Sequence, residues 1–186
     1  MKRLSFLLVA LLLTAIPVHA QSDYPKAEIY GGYSFFTADI NTNNPFNPRE
    51  REGFHGFAFS GAANFTSNLG VVADFSYHKK KLSGTDIDFS TFNFLFGPRL
   101  TARGDKVEGF GHFLVGGIRR NLEGFNSDVD FALGVGGGVD IKVSRNFGVR
   151  LLQVDYIPFR DRNPITLEKD WRHNARIGIG VTFRAQ

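Results

Sequence analysis

The sequence predicts an all-β fold, an eight-stranded antiparallel up-and-down transmembrane β-barrel. Three observations carry that prediction. Apolar residues recur at every second position through eight segments, the period of strands whose two faces meet different surroundings. The connections alternate strictly between three short turns and four longer, charged stretches. The face opposite the apolar one is mostly Gly, Ala, Ser and Asn with a few charges, which suits a crowded barrel interior better than a solvated surface.

Before the first strand the chain opens like an exported protein. Lys2 and Arg3 form a basic start, Phe6 to Ile16 an apolar run, and Val18-His19-Ala20 a small-residue cleavage signal, so residues 1–20 are expected to be a cleaved signal peptide and 21–186 the barrel domain, with Gln21 as the mature start. The apolar run falls short of the roughly 20 residues a membrane helix needs. Without Lys2 and Arg3 the net charge drops from +4 to about +2, which does not argue for nucleic acid. Cysteine is absent, so no disulfide framework holds the fold. The 21 glycines and 20 phenylalanines fit a narrow barrel with small residues inside and aromatics outside.

The first strand spans Lys26 to Thr37, with Ala27, Ile29, Gly31, Tyr33 and Phe35 on its apolar side. An exposed loop is expected from Ala38 to Gly53, where Asn, Pro and the run Arg49-Glu50-Arg51-Glu52 interrupt the alternation. A hairpin from Phe57 to His78 follows, its two strands joined by a turn at Thr66, Ser67 and Asn68. Lys79 to Gly84 reads as a second loop. The fourth strand runs from about Asp86 to Thr101 with Phe92, Phe94 and Phe96 on one side; Pro98, which has no N–H, argues against a place in the middle of a ladder.

A turn at Arg103 to Lys106 leads into strand five, Val107 to Ile118, whose polar face rests mainly on His112. Arg119 to Asp128 forms the third long loop. Strand six sets Phe131, Leu133, Val135, Gly137, Val139 and Ile141 against Ala132, Gly134, Gly136, Gly138, Asp140 and Lys142. After a turn at Ser144 to Asn146, strand seven covers Phe147 to Ile157, where Arg150 falls on the apolar parity: either it lies at the membrane rim or a bulge shifts the register. Pro158 to Asp170 is the fourth long loop, and Trp171 to Phe183 the last strand.

An apolar face turned inward around a ligand, as in a soluble periplasmic ligand-binding barrel, has the same period. The small residues of the polar face favour the membrane arrangement, with Glu28, Asp74, Arg99, Asp140, Asp155 and Arg176 as packed, paired lumen charges. Tyr33, Tyr77, Tyr156, Trp171 and Phe183 would then form interfacial girdles. The segments Asn64 to Gly70, Phe94 to Arg99 and Asn174 to Phe183 resemble the eight-stranded outer-membrane protein A-like β-barrel family over nearly all of the mature chain. That resemblance implies a bacterial outer-membrane location, outer-membrane lipids as surroundings and delivery by the barrel-assembly machinery. Members commonly end on an aromatic residue, whereas Arg184, Ala185 and Gln186 follow Phe183 here.

The resemblance implies a structural or surface-interaction role in the envelope and no enzymatic activity. One enzymatic alternative has residues to weigh. Ser76 and His78 share a strand face, as a hydroxyl and its base do in an acyl hydrolase of the lipid A deacylase kind. No acidic orienting residue can be assigned by spacing, and two residues on one face equally suit an ordinary rim, so no catalytic set is assigned. The glycines Gly134 to Gly138 lie inside a strand and not before a helix, so no cofactor-binding loop is read there. The five histidines show no metal-ligand spacing. Lys79 to Lys81, Arg119-Arg120 and Arg160-Asp161-Arg162 on the outer loops offer contacts to lipopolysaccharide phosphates, set against plain solvated charge. A pore is the remaining class, and a lumen closed by pairs such as Asp74 with Arg176 is expected to conduct poorly.

Overall fold

The computed structural model describes residues 24–41, 49–81, 88–122, 128–162 and 169–186. The expected signal peptide lies outside them, as do 42–48, 82–87, 123–127 and 163–168 in the long connections. The strands are β1 (Ala27–Asn41), β2 (Arg49–Asn64), β3 (Leu69–Lys81), β4 (Asp88–Arg103), β5 (Val107–Leu122), β6 (Asp128–Lys142), β7 (Phe147–Tyr156), β8 (Phe159–Arg162), β9 (Lys169–Arg172) and β10 (Ala175–Ala185).

Eight of these close a ring. Each of β1 to β7 pairs antiparallel with its sequence neighbour, and β10 joins β7 to β1. Closure leaves no sheet edge within the ring, the condition for backbone to cross hydrocarbon with its polar groups paired. The short strands β8 and β9 continue β7 and β10 beyond the ring as a hairpin, with β8 touching β6 at Ala132 and Phe159. The break between β7 and β8 falls at Pro158, which offers no N–H. Asn174 bridges it, its carbonyl accepting from Ile157 N at 2.8 Å and its Nδ2 donating to the Ile157 carbonyl at 3.0 Å.

The three short turns fall where the sequence puts them, closed by bonds such as Phe65 N to Leu69 O at 2.9 Å and Gly104 N to Val107 O at 3.0 Å. The long connections are shorter than expected. Arg49 to Glu52 belongs to β2 and pairs with Ala38 to Asn41 of β1, Lys79 to Lys81 belongs to β3, and Arg119 to Leu122 belongs to β5. The predicted fourth loop likewise contains β8 and the first half of β9. A ladder needs only backbone partners, so strands run on past the level where one face is apolar, and a rule based on alternation loses sight of them there.

Two local features depart from simple alternation. In β7 the pairing to β6 jumps from Val139 with Leu152 to Asp140 with Arg150, and the pairing to β10 shifts at the same place. Leu151 is the extra residue of a β-bulge, so Leu151 and Leu152 both face outward and Arg150 turns into the lumen, 2% exposed. The rim alternative for Arg150 is thereby excluded. Pro98 sits inside β4, opposite Val71, five residues before the strand ends, which corrects its placing near a strand end; the ladder to β5 has no pairing at Gly97 and Pro98.

The two faces separate cleanly. Outward side chains include Ile29, Phe57, Phe59, Phe65, Phe96, Phe113, Phe131, Ile177 and Phe183, all exposed, which in water would be an untenable apolar surface. Tyr33, Tyr156 and Trp171 of the expected girdles also face outward. The six lumen charges read from the sequence are all at most 3% exposed. Glycine thins the wall where backbones approach: a Cβ on Gly97 would stand 1.9 Å from the Phe113 carbonyl oxygen, whereas one on outward Gly61 would meet nothing within 4 Å.

Candidate functional site

The period of two that sends aromatics outward sends one polar or charged side chain per strand level into the lumen. Among the described residues, five carboxylates and five guanidiniums there join in one network. Beginning at the short-turn end, Glu28 of β1 accepts from Asn64 (2.8 Å) and Arg103 (2.8 Å) and pairs with Arg99 (3.2 Å). Arg103 also reaches Glu108 at 3.0 Å, and Glu108 pairs with Lys142 (3.1 Å) and Arg184 (2.8 Å). Arg184 stands 3.8 Å from Asp140, which Arg150 grips through two nitrogens at 2.8 and 3.1 Å. Arg150 donates to Gln153, Gln153 to Asp155, and Arg176 to both Asp155 (2.7 Å) and Asp74 (2.6 Å). His112 lies 2.7 Å from the other Asp155 oxygen.

Aromatic rings complete the packing. The Arg150 guanidinium carbon is 4.2 Å from the centroids of both Tyr30 and Phe110, and that of Arg99 is 4.3 Å from Phe110. A planar cation over a ring face gains electrostatic attraction that grows as water is excluded. The Asp74–Arg176 pair expected from the sequence is therefore present, as one link of a longer chain. Glu108, Arg103 and Arg184 escaped the sequence reading, whereas Gln153 lies on the polar face of strand seven as its alternation with Leu152, Val154 and Tyr156 implies. Glu108 lies inside the expected strand five on the parity of His112, and Arg184 one residue past the expected last strand on the parity of Thr182, so carrying the alternation to both ends would have found them.

Towards the long-hairpin end the lumen changes character. Phe36, Phe54, Leu95, Leu114, Ile118, Ile157 and Phe159 are inward and buried in one apolar cluster, which corrects the expectation of an inner face made mostly of small and polar residues. Beneath Phe36 and Phe54, and beside Leu95 and Ile118 of the cluster, lie Ser34, Ser76, His78 and Asn93, none more than 1% exposed. Ser76 and His78 share a face as expected but are not partners. Asn93 donates to Ser76 Oγ at 3.0 Å, while His78 Nε2 is 2.8 Å from Ser34 Oγ and its ring stacks on Phe36. His78 Nδ1 has no hydrogen-bond partner, so no carboxylate orients the ring as a base. These residues lie beneath the apolar cluster and not at an open rim.

The outer rim carries the remaining candidates. Alternation splits each basic doublet. Lys80 forms an ion pair with Glu52, and Arg120 holds Asp130 at 2.6 Å, whereas Lys79 and Arg119 take the outward parity and are exposed, as is Arg160. Across the ladder Phe92 and Val129 face Arg119, and Trp171 faces Arg160. Two outward Tyr–His hydrogen bonds, Tyr33 with His55 and Tyr156 with His173, lie on the same surface. Among the described residues no group of three His, Asp or Glu side chains is arranged to hold a metal ion.

Comparison with curated proteins finds no match. Among solved structures, the fold is similar to that of Neisserial surface protein A, with a TM-score of 0.62 at 15% identity over 86% of this chain and 97% of that one. It is also similar to Ail, the attachment invasion locus protein of Yersinia pestis, with a TM-score of 0.57 at 17% identity over 87% and 99%. A second Ail structure, in complex with the heparin analogue sucrose octasulfate, matches with a TM-score of 0.54 at 16% identity over 86% and 99%. The model of the outer membrane protein beta-barrel domain matches residues 6–183, nearly the whole chain. With its apolar face outward, its paired charges inward and its ring closed, the chain belongs to the outer membrane protein β-barrel family and is an integral protein of the bacterial outer membrane.

Proposed function

We propose that this barrel is a non-enzymatic surface-interaction protein of the envelope whose outer rim meets polyanions, lipopolysaccharide phosphates foremost. The observation that carries the reading is the sorting of the basic doublets. Alternation along β3 and β5 turns Lys79 and Arg119 outward, and with Arg160 of β8 they are exposed on the rim beside outward aromatic rings. In the plan of this family the long hairpins are extracellular and the short turns periplasmic, so these cations stand at the level of outer-leaflet headgroups. Charge-assisted hydrogen bonds to phosphate are the strong contacts available there. Ail, a neighbour in fold, binds a sulfated sugar in one of its structures. The test is binding of intact and dephosphorylated lipopolysaccharide after neutralising Lys79 to Lys81, and separately Arg119 with Arg160. Loss of the phosphate-dependent part is expected, and unchanged binding in both variants overturns the reading.

The same proposal covers the chain's route and its lumen. Residues 1–20 serve as the export signal and 21–186 as the mature barrel, inserted by the barrel-assembly machinery with Phe183 as its last aromatic. The lumen conducts poorly because the apolar layer around Leu95 and Ile118 denies ions a hydrated path. Stable, large single-channel conductance in planar bilayers overturns that part alone.

A further inference from the structure

The lipid-facing wall has two unlike sides. On β2, β3 and β4 it is aromatic, with Phe57, Tyr77 and Phe92 in one row across the ladder and Phe59, Phe75 and Phe94 in the next. The rings touch one another. Centroids lie 5.7 Å apart for Phe57 and Tyr77, 6.4 Å for Phe75 and Phe92 and 6.3 Å for Phe92 and Phe94, so the two rows pack into a continuous slab. On β7 and β10, across the barrel, the outward side chains are mostly aliphatic, among them Leu152, Val154, Ile177 and Ile179. Hydrocarbon that surrounds a barrel evenly gives no reason for such a division.

The slab is also confined along the barrel axis. Towards the short turns the same strands become small, with Gly61 opposite Ala73 in the next row. Glycine there is not imposed by the wall, since a Cβ on Gly61 would meet nothing within 4 Å. Towards the long hairpins the outward positions become polar. His55 lies opposite Lys79, Lys79 opposite Ser90 and Ser90 opposite Asn121, while Arg119 stands beside Phe92. One row further out Lys81 is opposite Asp88. The His55 ring is held by a hydrogen bond with the Tyr33 hydroxyl and by Phe35, whose ring centroid is 5.2 Å away. With the long hairpins extracellular, the slab occupies the outer-leaflet half of the wall and the polar row lies at its headgroups.

We propose, resting on the reading of the rim as a lipopolysaccharide contact, that one side of the barrel, β2 to β4 with the adjoining edge of β5, is the docking surface for a phosphorylated glycolipid of the outer leaflet. A headgroup phosphate takes charge-assisted hydrogen bonds from Lys79 and Arg119, and the His55 imidazole, the Ser90 hydroxyl and the Asn121 amide meet the remaining phosphate and sugar oxygens. The acyl chains lie along the slab. Rings fixed by mutual contact form a stiff surface that loses little conformational entropy when chains order against it. A soluble polyanion would use the polar row alone and leave the slab without a role, and an inner-leaflet phospholipid would meet neither.

The test is native mass spectrometry of the full barrel, released from a maltoside detergent after titration with bis-phosphorylated lipid A. Lys79→Gln is expected to weaken binding about three- to tenfold. Phe75→Leu combined with Phe94→Leu, which keeps the face apolar but unlocks the rings, is expected to weaken it about two- to tenfold. Ile177→Leu combined with Ile179→Leu, on the aliphatic side, is expected to leave it unchanged, and Arg160→Gln, beyond β7 on the far side of the ring, to cost about twofold at most. With dephosphorylated lipid A the phenylalanine variant still weakens binding and Lys79→Gln no longer does. Heat-modified gel mobility checks that each variant closes. A loss with Arg160→Gln equal to that with Lys79→Gln, or no effect of the phenylalanine variant, overturns the assignment to this side and leaves the broader reading of the rim standing; no lipid A binding by the wild type overturns both.

Discussion

The two halves of the lumen are lined by the same strands and stabilised in opposite ways. The periplasmic half is a chain of ion pairs from Glu28 through Glu108, Asp140 and Asp155 to Asp74. The extracellular half is an apolar cluster around Phe36, Phe54, Ile118 and Phe159. The outer face changes with it. Around the ion pairs the outward neighbours are residues such as Ile29, Val139, Val154 and Ile177, whereas beside Phe54, Ile118 and Phe159 they are His55, Arg119 and Arg160. Hydrophobicity is thus inverted along the barrel axis. Where hydrocarbon surrounds the wall, burial in the lumen is left to paired charges; where water surrounds it, the lumen becomes the core of an ordinary soluble barrel. Leu95, between Phe94 and Phe96, and Leu114, between outward Phe113 and Val115, mark the changeover.

If that division is right, the deepest damage comes from unbalancing the charged half. Arg176→Leu leaves Asp74 and Asp155 buried without their cation and is expected to cost about 3–5 kcal/mol, read by urea unfolding in lipid vesicles with Trp171, the single tryptophan, as the fluorophore. Adding Asp74→Asn and Asp155→Asn should recover most of that loss; failure to recover would mean that packing, and not charge, dominates this half.

The apolar half should respond as a soluble core does. Ile118→Ala is expected to lose about 2–4 kcal/mol through the cavity it opens, and a loss near zero in the same assay would contradict a packed cluster. The barrel wall that encloses both halves can be probed by Gly97→Ala, where the new methyl meets the Phe113 carbonyl oxygen. A loss of about 1–3 kcal/mol is expected, against no more than about 0.5 kcal/mol for Gly61→Ala on the lipid face. Comparing the heat-modified gel mobility of the two alanine variants checks that both still close.

The smallest effect belongs to the boundary itself. His78→Phe removes an unpartnered buried Nδ1 while keeping the stack on Phe36, and leaves only the Ser34 hydroxyl short of a partner. The two changes oppose one another, so stability should stay within about 1 kcal/mol of wild type. Lipid mass spectrometry of cells carrying Ser34→Ala or Ser76→Ala should show no change in acyl content; altered lipid A acylation would restore the hydrolase reading.

Most of the wall was legible in the sequence because facing lipid is a local property. Whether Phe59 or Phe94 points outward depends only on parity within its own strand, and the girdle residues Tyr156 and Trp171 follow in the same way. The lumen charges Glu28, Asp74, Arg99, Asp140, Asp155 and Arg176 were legible as inward, again by parity. Who pairs with whom was not, apart from Asp74 with Arg176, because partners such as Glu28 and Arg99 come from strands whose relative height depends on the stagger of the closed ring. Ser76 shows the same limit: its neighbour in parity is His78, but its partner across the lumen is Asn93.

By itself, then, the amino-acid sequence determined the eight strands of the ring, the short turns, the outward face and six of the buried charges, since each follows from alternation and turn chemistry within a few residues. Only the tertiary structure decided the bulge at Leu151 that turns Arg150 inward, the extension of the strands beyond the apolar band and the inversion of the lumen towards its extracellular end. Those features depend on which side chains face one another across about the width of a barrel, a distance that closure and stagger set and that no single strand records.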